Sequence, residues 1–315
     1  MITSPLPDAA PTNWVDRHAP AGLRPWLKLG RFDRPAGIWM LMLPGWQGLA
    51  LAGAEHGRWP SLWLLAAFAV GAALMRAAGC AFNDIVDRDF DAQVARTASR
   101  PIPAGQISVR QAWAFLAVCS LAGFAILLTL GPLAIGLGVG SLALVTAYPF
   151  MKRITWWPQA WLGLTFNCGA LLGYAAASGR LDAAAGLLYA SGLFWTLGYD
   201  TIYAVQDLED DALAGVKSSA RRLGAAAPRG VLVFYLISLA LVLCAGAAGH
   251  CGLLFLPLAA LYAVHLIGQA RALRIDQPMA ALGLFNSNRD AALILFLALI
   301  AGHWRAPASL FGLFH

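Results

Sequence analysis

Uncharged apolar runs set the pattern of this chain. Ala36 to Ala54, Pro132 to Phe150 and Gly230 to Gly249 contain no charged residue, and each is long enough to cross about 30 Å of hydrocarbon as a helix. Runs of this kind recur roughly nine times, near 36–54, 60–82, 111–130, 132–150, 158–178, 183–206, 230–249, 252–270 and 286–305. The pattern predicts an all-α polytopic membrane protein of about nine transmembrane helices. Residues 1–34, with Pro5, Pro7, Pro11 and Pro20, read as a tail ending in an interfacial helix around Trp26 to Phe32, and 35–315 as one intramembrane domain. The mixed polar character before the first run does not match a cleavable signal peptide.

Composition sharpens this picture. The chain is 59% hydrophobic and 12% charged, whereas soluble domains carry about a quarter charged residues, so a water-soluble globule is excluded. Short loops rich in Lys and Arg stay cytoplasmic. Arg17, Arg24, Lys28, Arg31 and Arg34 precede the first span, and most other basic residues fall in the even-numbered loops or on their flanks. Only Arg58, Arg180 and Arg305 fall on the opposite side. The N-terminus is therefore expected on the cytoplasmic face of an inner, or cytoplasmic, membrane. The net charge of +6 is spread over membrane-flanking loops and forms no basic face for nucleic acid. The five cysteines form no C-x-x-C pair and read as small packing residues.

The acids are concentrated. Nine of the 16 lie in NDIVDRDFD (Asp84, Asp87, Asp89, Asp91) and DTIYAVQDLEDD (Asp200, Asp207, Glu209, Asp210, Asp211). Each string ends a span, the second and the sixth, so four crossings return the chain to the same face and both clusters can meet across one cytoplasmic cavity. On a helix Asp84, Asp87 and Asp91 share a face, with Asn83 beside them; Asp207 pairs with Asp211, and Asp200 lies two turns above Asp207. Carboxylates about 4 Å apart repel by roughly 4 kcal/mol at an effective dielectric near 20, so such clusters call for cations. Oxygen ligands favour Mg²⁺ or Ca²⁺ over zinc, and Mg²⁺ combines one or two carboxylates with substrate phosphates. A solvated acidic loop is the plain alternative for one string, but the second string at the matching position argues against it.

Basic residues flank these acids: Arg96 and Arg100, then Lys152 and Arg153 after AYPF, then Lys217. Membrane anchoring would explain each. Arg100 and Lys217 follow an acidic string closely, so both suit phosphate contacts or loop tethers. Arg76, Asp200 and Asn167 lie inside apolar spans, where ionisable groups mark function. Arg76 suits an anionic substrate or an ion pair with Asp200; Asn167 suits a bond between helices. Tyr148, Trp195, Tyr199 and Tyr203 read first as an interfacial aromatic belt, with a cation–π role as the alternative.

These strings carry a resemblance. RFDRPAGIWMLMLPG, NDIVDRDFDAQVARTASRPIPAG, AYPFMKR and YDTIYAVQDLEDDALAGVKSSA occur in the order found in the UbiA-type intramembrane prenyltransferases, and the first and last look most like the group acting on 4-hydroxybenzoate. One departure is the basic pair Arg221 and Arg222 in GVKSSARRLG. The resemblance implies nine helices around a central cavity open to lipid, with two Asp-rich walls binding Mg²⁺ and a polyprenyl diphosphate. By motif position it carries Asn83, Asp84, Asp87 and Asp91 to the first metal wall, and Asp207 and Asp211 to the second. The AYPFMKR match places Lys152 and Arg153 near the diphosphate or the acceptor carboxylate. By their own placement Arg76, Arg100, Lys217 and Tyr203 are further candidate substrate contacts, and Asp200 is the candidate to hydrogen-bond or deprotonate an acceptor phenol. The implied reaction is ring prenylation of 4-hydroxybenzoate in ubiquinone biosynthesis. Other aromatic or quinoid acceptors fit the same walls, and a transporter is the reading from another class. A CDP-alcohol phosphotransferase would need a D-G-x-x-A-R string, which is absent.

Overall fold

The computed structural model describes residues 13–93, 97–208, 212 and 215–304. Among them there are helices and no strands. In chain order the helices are α1 (Trp14–His18), α2 (Arg24–Leu29), α3 (Ala36–His56), α4 (Leu62–Val86), α5 (Arg88–Asp91), α6 (Val109–Leu127), α7 (Pro132–Ile154), α8 (Pro158–Phe166), α9 (Cys168–Ser178), α10 (Ala183–Ala204), α11 (Ser219–Leu223), α12 (Ala227–Ala248), α13 (Phe255–Ala272), α14 (Pro278–Asn286) and α15 (Asn288–Ala301).

Among the described residues six stretches are long and apolar enough to cross a membrane: Leu62–Val86, Val109–Leu127, Pro132–Ile154, Pro158–Ser178, Ser219–Ala248 and Pro278–Ala301. Helices α3, α10 and α13, of 21, 22 and 18 residues, occupy three more of the expected positions. Large apolar side chains such as Val118, Leu121 and Val264 are exposed. A surface of that kind suits hydrocarbon and not water. The chain is an integral membrane protein.

Two expected spans prove discontinuous. The run 158–178 breaks at Asn167 between α8 and α9, and the last span starts at Pro278 and breaks at Ser287. The polar string Asn286-Ser287-Asn288 reads as a span boundary in sequence, yet it lies inside the span, because buried Asn288 accepts bonds from Trp195 Nε1 (2.9 Å) and the Tyr235 hydroxyl (3.3 Å).

The chain forms two compact units. The first comprises residues 1–42 and 69–129, the second 43–68 and 130–315. In the first, Leu29 of α2 joins Ala81 and Ile85 of α4, Ala112 of α6, and Ile102 and Ile107 of the preceding loop in one apolar core, with Trp26 against Phe115 at 5.8 Å. Buried Lys28 pairs with Asp16 at 2.7 Å, which ties α1 to α2. Ser108 and Gln111 form a reciprocal cap that starts α6.

In the second unit, α3 crosses α9 through small residues. A Cβ on Gly48 would lie 2.1 Å from the Ala170 carbonyl oxygen, and one on Gly173 2.1 Å from that of Gly45. Only glycine permits this approach, as between packed membrane helices generally. Asn167 donates to Thr196 Oγ1 of α10 (2.9 Å) and to the Gly163 carbonyl (2.8 Å), so it serves the bond between helices expected of it. At one end of this unit the Tyr174 hydroxyl lies between the carboxylates of Glu55 and Asp182, while Arg180 pairs with Glu55 at 2.7 Å.

Candidate active site

In the first unit the site is built where α4 ends. Asn83 and Asp84 occupy its last turn, and the helix breaks at Asp87 (φ −95°, ψ 6°) before α5 delivers Asp91. The expected single helix through Asp91 is thus interrupted. Bonds from the Asp87 amide to the Asn83 carbonyl (2.9 Å) and from Asp91 to Asp87 (2.8 Å) keep the four-residue register across the break.

Asp84 is fully buried and Asp91 nearly so, whereas Asn83 and Asp87 are half-buried. Arg31 Nη2 donates to Asp84 Oδ1 at 2.6 Å. Arg100 Nη1 reaches the same Oδ1 at 3.3 Å and Asp91 Oδ2 at 2.7 Å. Thr97 Oγ1 donates to the Asp91 carbonyl (2.8 Å) and the Arg100 amide to the Thr97 carbonyl (2.9 Å), which closes the loop behind the motif. Asp84 Oδ2 is buried with no hydrogen-bond partner among the described residues. Burial by itself would lower the Arg31 pKa; Asp84 first, with Asp33 also contributing, holds it above the usual arginine value.

Arg76 packs its guanidinium on the first turn of α3. A Cβ on Gly37 would stand 2.7 Å from Arg76 Nε. Buried Asp33 lies 3.3 Å from Arg34 Nη2. In the sequence Arg31 bears on membrane topology and, with Gly37, on the family resemblance, but neither stands out there as a site residue. The RFDRPAG string was the available signal for both.

In the second unit, half-buried Asp200 lies on α10 and Asp207 ends a 3₁₀ turn, Val205–Asp207, so the two are not on one continuous α-helical face. Asp211, with Glu209, Asp210 and Arg96, lies outside the described residues. Tyr203 rests on Phe285 at 4.7 Å between ring centres. Trp195 and Tyr199 are buried and meet edge to face at 4.8 Å. The belt reading is therefore corrected for these two: bonding of Trp195 to Asn288 draws the pair into the protein.

Lys152 and Arg153 stand exposed in the last turn of α7. Lys217 acts as a tether, its amide donating to the Lys152 carbonyl (3.1 Å) and its Nζ to the Ile154 carbonyl (3.1 Å). Thr201 Oγ1 meets Ser219 Oγ at 2.6 Å, and the Ser219 amide donates to Gln159 Oε1 (3.1 Å), fixing the chain after the second acidic string to α10 and α8. Among the described residues no three Asp, Glu, His or Cys side chains converge as a ready metal cage. Within the first unit Asn83 and Asp87, half-buried at the end of α4, offer oxygen donors of the kind that suit an ion completing its shell with substrate oxygens.

An all-helical membrane fold carrying two acidic strings and buried arginine–carboxylate pairs defines the class, and the chain belongs to the UbiA prenyltransferase family, whose model matches residues 41–300. It is 46% identical to the mitochondrial 4-hydroxybenzoate polyprenyltransferase of Bos taurus over 291 residues, covering 92% of this chain and 78% of that one. Identity to the Homo sapiens protein of the same description is 46% over 290 residues, covering 91% and 78%. Among solved structures, the apo structure of a UbiA homolog from Aeropyrum pernix K1 matches with a TM-score of 0.70 at 29% identity, covering 83% of this chain and 96% of that one. A UbiA homolog from Archaeoglobus fulgidus bound to GPP and Mg²⁺ shares the fold, with a TM-score of 0.59 at 17% identity over 88% of this chain and 99% of that one.

Proposed function

We propose that this chain transfers a polyprenyl group from polyprenyl diphosphate to the ring carbon of 4-hydroxybenzoate ortho to its hydroxyl, with Mg²⁺ as cofactor, as a step of ubiquinone biosynthesis. The observation that carries the reading is 46% identity over nine-tenths of the chain to enzymes described by that activity. The acidic strings and their arginines give the physical reason.

By the motif reading Asn83, Asp84, Asp87 and Asp91 of the first string, and Asp207 and Asp211 of the second, are the residues that would hold Mg²⁺. When bound, Mg²⁺ supplies positive charge against departing diphosphate. Arg100, Lys152 and Arg153 are the cations that would offset charge on the diphosphate. The allylic carbon–oxygen bond breaks with its electron pair on diphosphate. The ring carbon then supplies the pair for the new carbon–carbon bond, and loss of its proton restores the aromatic ring. Asp200 hydrogen-bonds or deprotonates the phenol, raising electron density at the ortho carbon. Arg76 holds the acceptor carboxylate, and Tyr203 lines the prenyl path. Apolar helices keep water, which would quench an allylic cation, away from the reaction. The tail 1–34 and the active site lie on the cytoplasmic side of the inner membrane, and the cavity opens sideways to lipid.

The test is prenylation of radiolabelled 4-hydroxybenzoate by membranes carrying the protein, with a short allylic diphosphate and either Mg²⁺ or EDTA. Product formed only with Mg²⁺, and lost in Asp87→Ala and Asp207→Ala, supports the reading. Product with another aromatic acceptor alone would keep the chemistry and replace the substrate. Solute uptake by well-folded protein that prenylates nothing would favour transport.

A further inference from the structure

We infer that Asp84 is a positioning residue that seats Arg31 and Arg100 on one carboxylate oxygen, and that it does not ligate the metal. This deepens the prenyl-transfer reading and rests on it for the identity of the diphosphate.

The first argument is geometric. Asp84 Oδ1 accepts from Arg31 Nη2 at 2.6 Å and from Arg100 Nη1 at 3.3 Å. The same Nη1 reaches Asp91 Oδ2 at 2.7 Å. One nitrogen of Arg100 thus spans both aspartates.

The second argument is charge. Two carboxylates and two guanidiniums balance, so Asp84 offers a divalent ion no net attraction, and an ion on it would sit against two arginines. Asn83 and Asp87 are half-buried, so both are more accessible than fully buried Asp84.

The third argument is the backbone. Arg31 is held at φ 60°, a left-handed conformation that costs any residue with a Cβ. Such conformations persist where surrounding bonds over-determine them. The pairing of Arg31 with buried Asp84, and its bond from Nη1 to the Lys28 carbonyl (3.1 Å), supply that determination.

The two arginines differ in exposure. The Arg31 side chain is 9% exposed and that of Arg100 19%. Arg31 is the backstop, and Arg100 is the cation presented to diphosphate. Asp84 Oδ2, buried and without a hydrogen-bond partner among the described residues, is the atom through which the opposite assignment would act.

The experiment compares wild type, Asp84→Asn, Asp87→Asn and Arg31→Gln in lipid nanodiscs. Mn²⁺ binding is read by electron paramagnetic resonance at saturating geranyl thiolodiphosphate, and binding of that unreactive analogue by calorimetry at saturating Mn²⁺. Asp84→Asn and Arg31→Gln are expected to weaken the analogue about tenfold, with Mn²⁺ affinity within twofold of wild type. Asp87→Asn is expected to weaken Mn²⁺. Loss of Mn²⁺ affinity in Asp84→Asn as large as in Asp87→Asn overturns the inference, as does unchanged analogue affinity. If Asp84→Asn does not fold, Arg31→Gln decides by the same two readings. A wild-type protein that binds the analogue but prenylates no acceptor would instead remove the proposed reaction and leave the Asp84 assignment standing.

Discussion

At the scale of single residues, the close seating of Arg76 on Gly37 has a measurable consequence. A methyl group added at Gly37 would stand 2.7 Å from Arg76 Nε, nearer than non-bonded atoms tolerate, so the guanidinium must move. Gly37→Ala is expected to raise the KM for 4-hydroxybenzoate several-fold while leaving that for the allylic diphosphate near wild type; steady-state kinetics with each substrate varied in turn will show the split. Asp200→Asn is expected to lower turnover more than analogue affinity, and equal losses would remove Asp200 from the proton step. The acids of the first string were legible in the sequence because their spacing is local. Of their partners, Arg100 was legible as a tether for the same loop, whereas Arg31 was not. Arg31 is 53 residues from Asp84, and the chain does not advertise that an arginine in a membrane-flanking tail turns inward onto a buried carboxylate.

At the scale of elements, Asp182 links a helix start to acid sensitivity. It caps α10 by accepting from the Ala185 amide at 3.2 Å. Partial burial raises its pKa, but the Tyr174 hydroxyl, the backbone amides of Ala185 and Ala184, and Arg180 outweigh this and hold it below the ordinary carboxylate value. A carboxylate depressed in the folded state contributes stability that is full above its unfolded pKa, about 3.9, and is lost as pH falls through its native value. Asp182→Ala is therefore expected to cost about 1 kcal/mol at neutral pH, as caps generally do. The difference from wild type should shrink towards pH 3 in thermal melts. Apolar runs foretold where helices lie to within a few residues for most spans. The breaks at Asn167 and Ser287 were hidden, since a polar side chain inside an apolar run is satisfied by partners on distant helices, and those partners are tertiary facts.

At the scale of the whole molecule, orientation follows from charge. The loop holding Arg58 and the loop holding Arg180 are expected outside, and the acidic strings with their arginines inside. In a variant lacking the five native cysteines, cysteine at Arg58 should react with an impermeant maleimide added to intact cells, and cysteine at Arg153 only after permeabilisation. The reverse pattern would invert the topology. The number of apolar runs was readable from sequence, and so was the family. What sequence alone withheld was how the small residues Gly45, Gly48 and Gly173 let α3 and α9 touch backbone to backbone, because glycines in an apolar run look like any other spacing.

The break at Asn167 also bears on how the protein is made. A polar amide in mid-span is costly to leave unsatisfied in hydrocarbon, and its partner on the neighbouring helix, Thr196, is synthesised 29 residues later. Gly163 within the segment 158–178 accepts one bond from the Asn167 amide, and the second is completed only by α10, so integration of the segment is expected to be fuller once α10 follows it. Chains truncated after Asp182 are expected to integrate this segment less completely than chains extended through Tyr203, as glycosylation-site mapping would report, and Asn167→Leu should restore integration to the shorter chain.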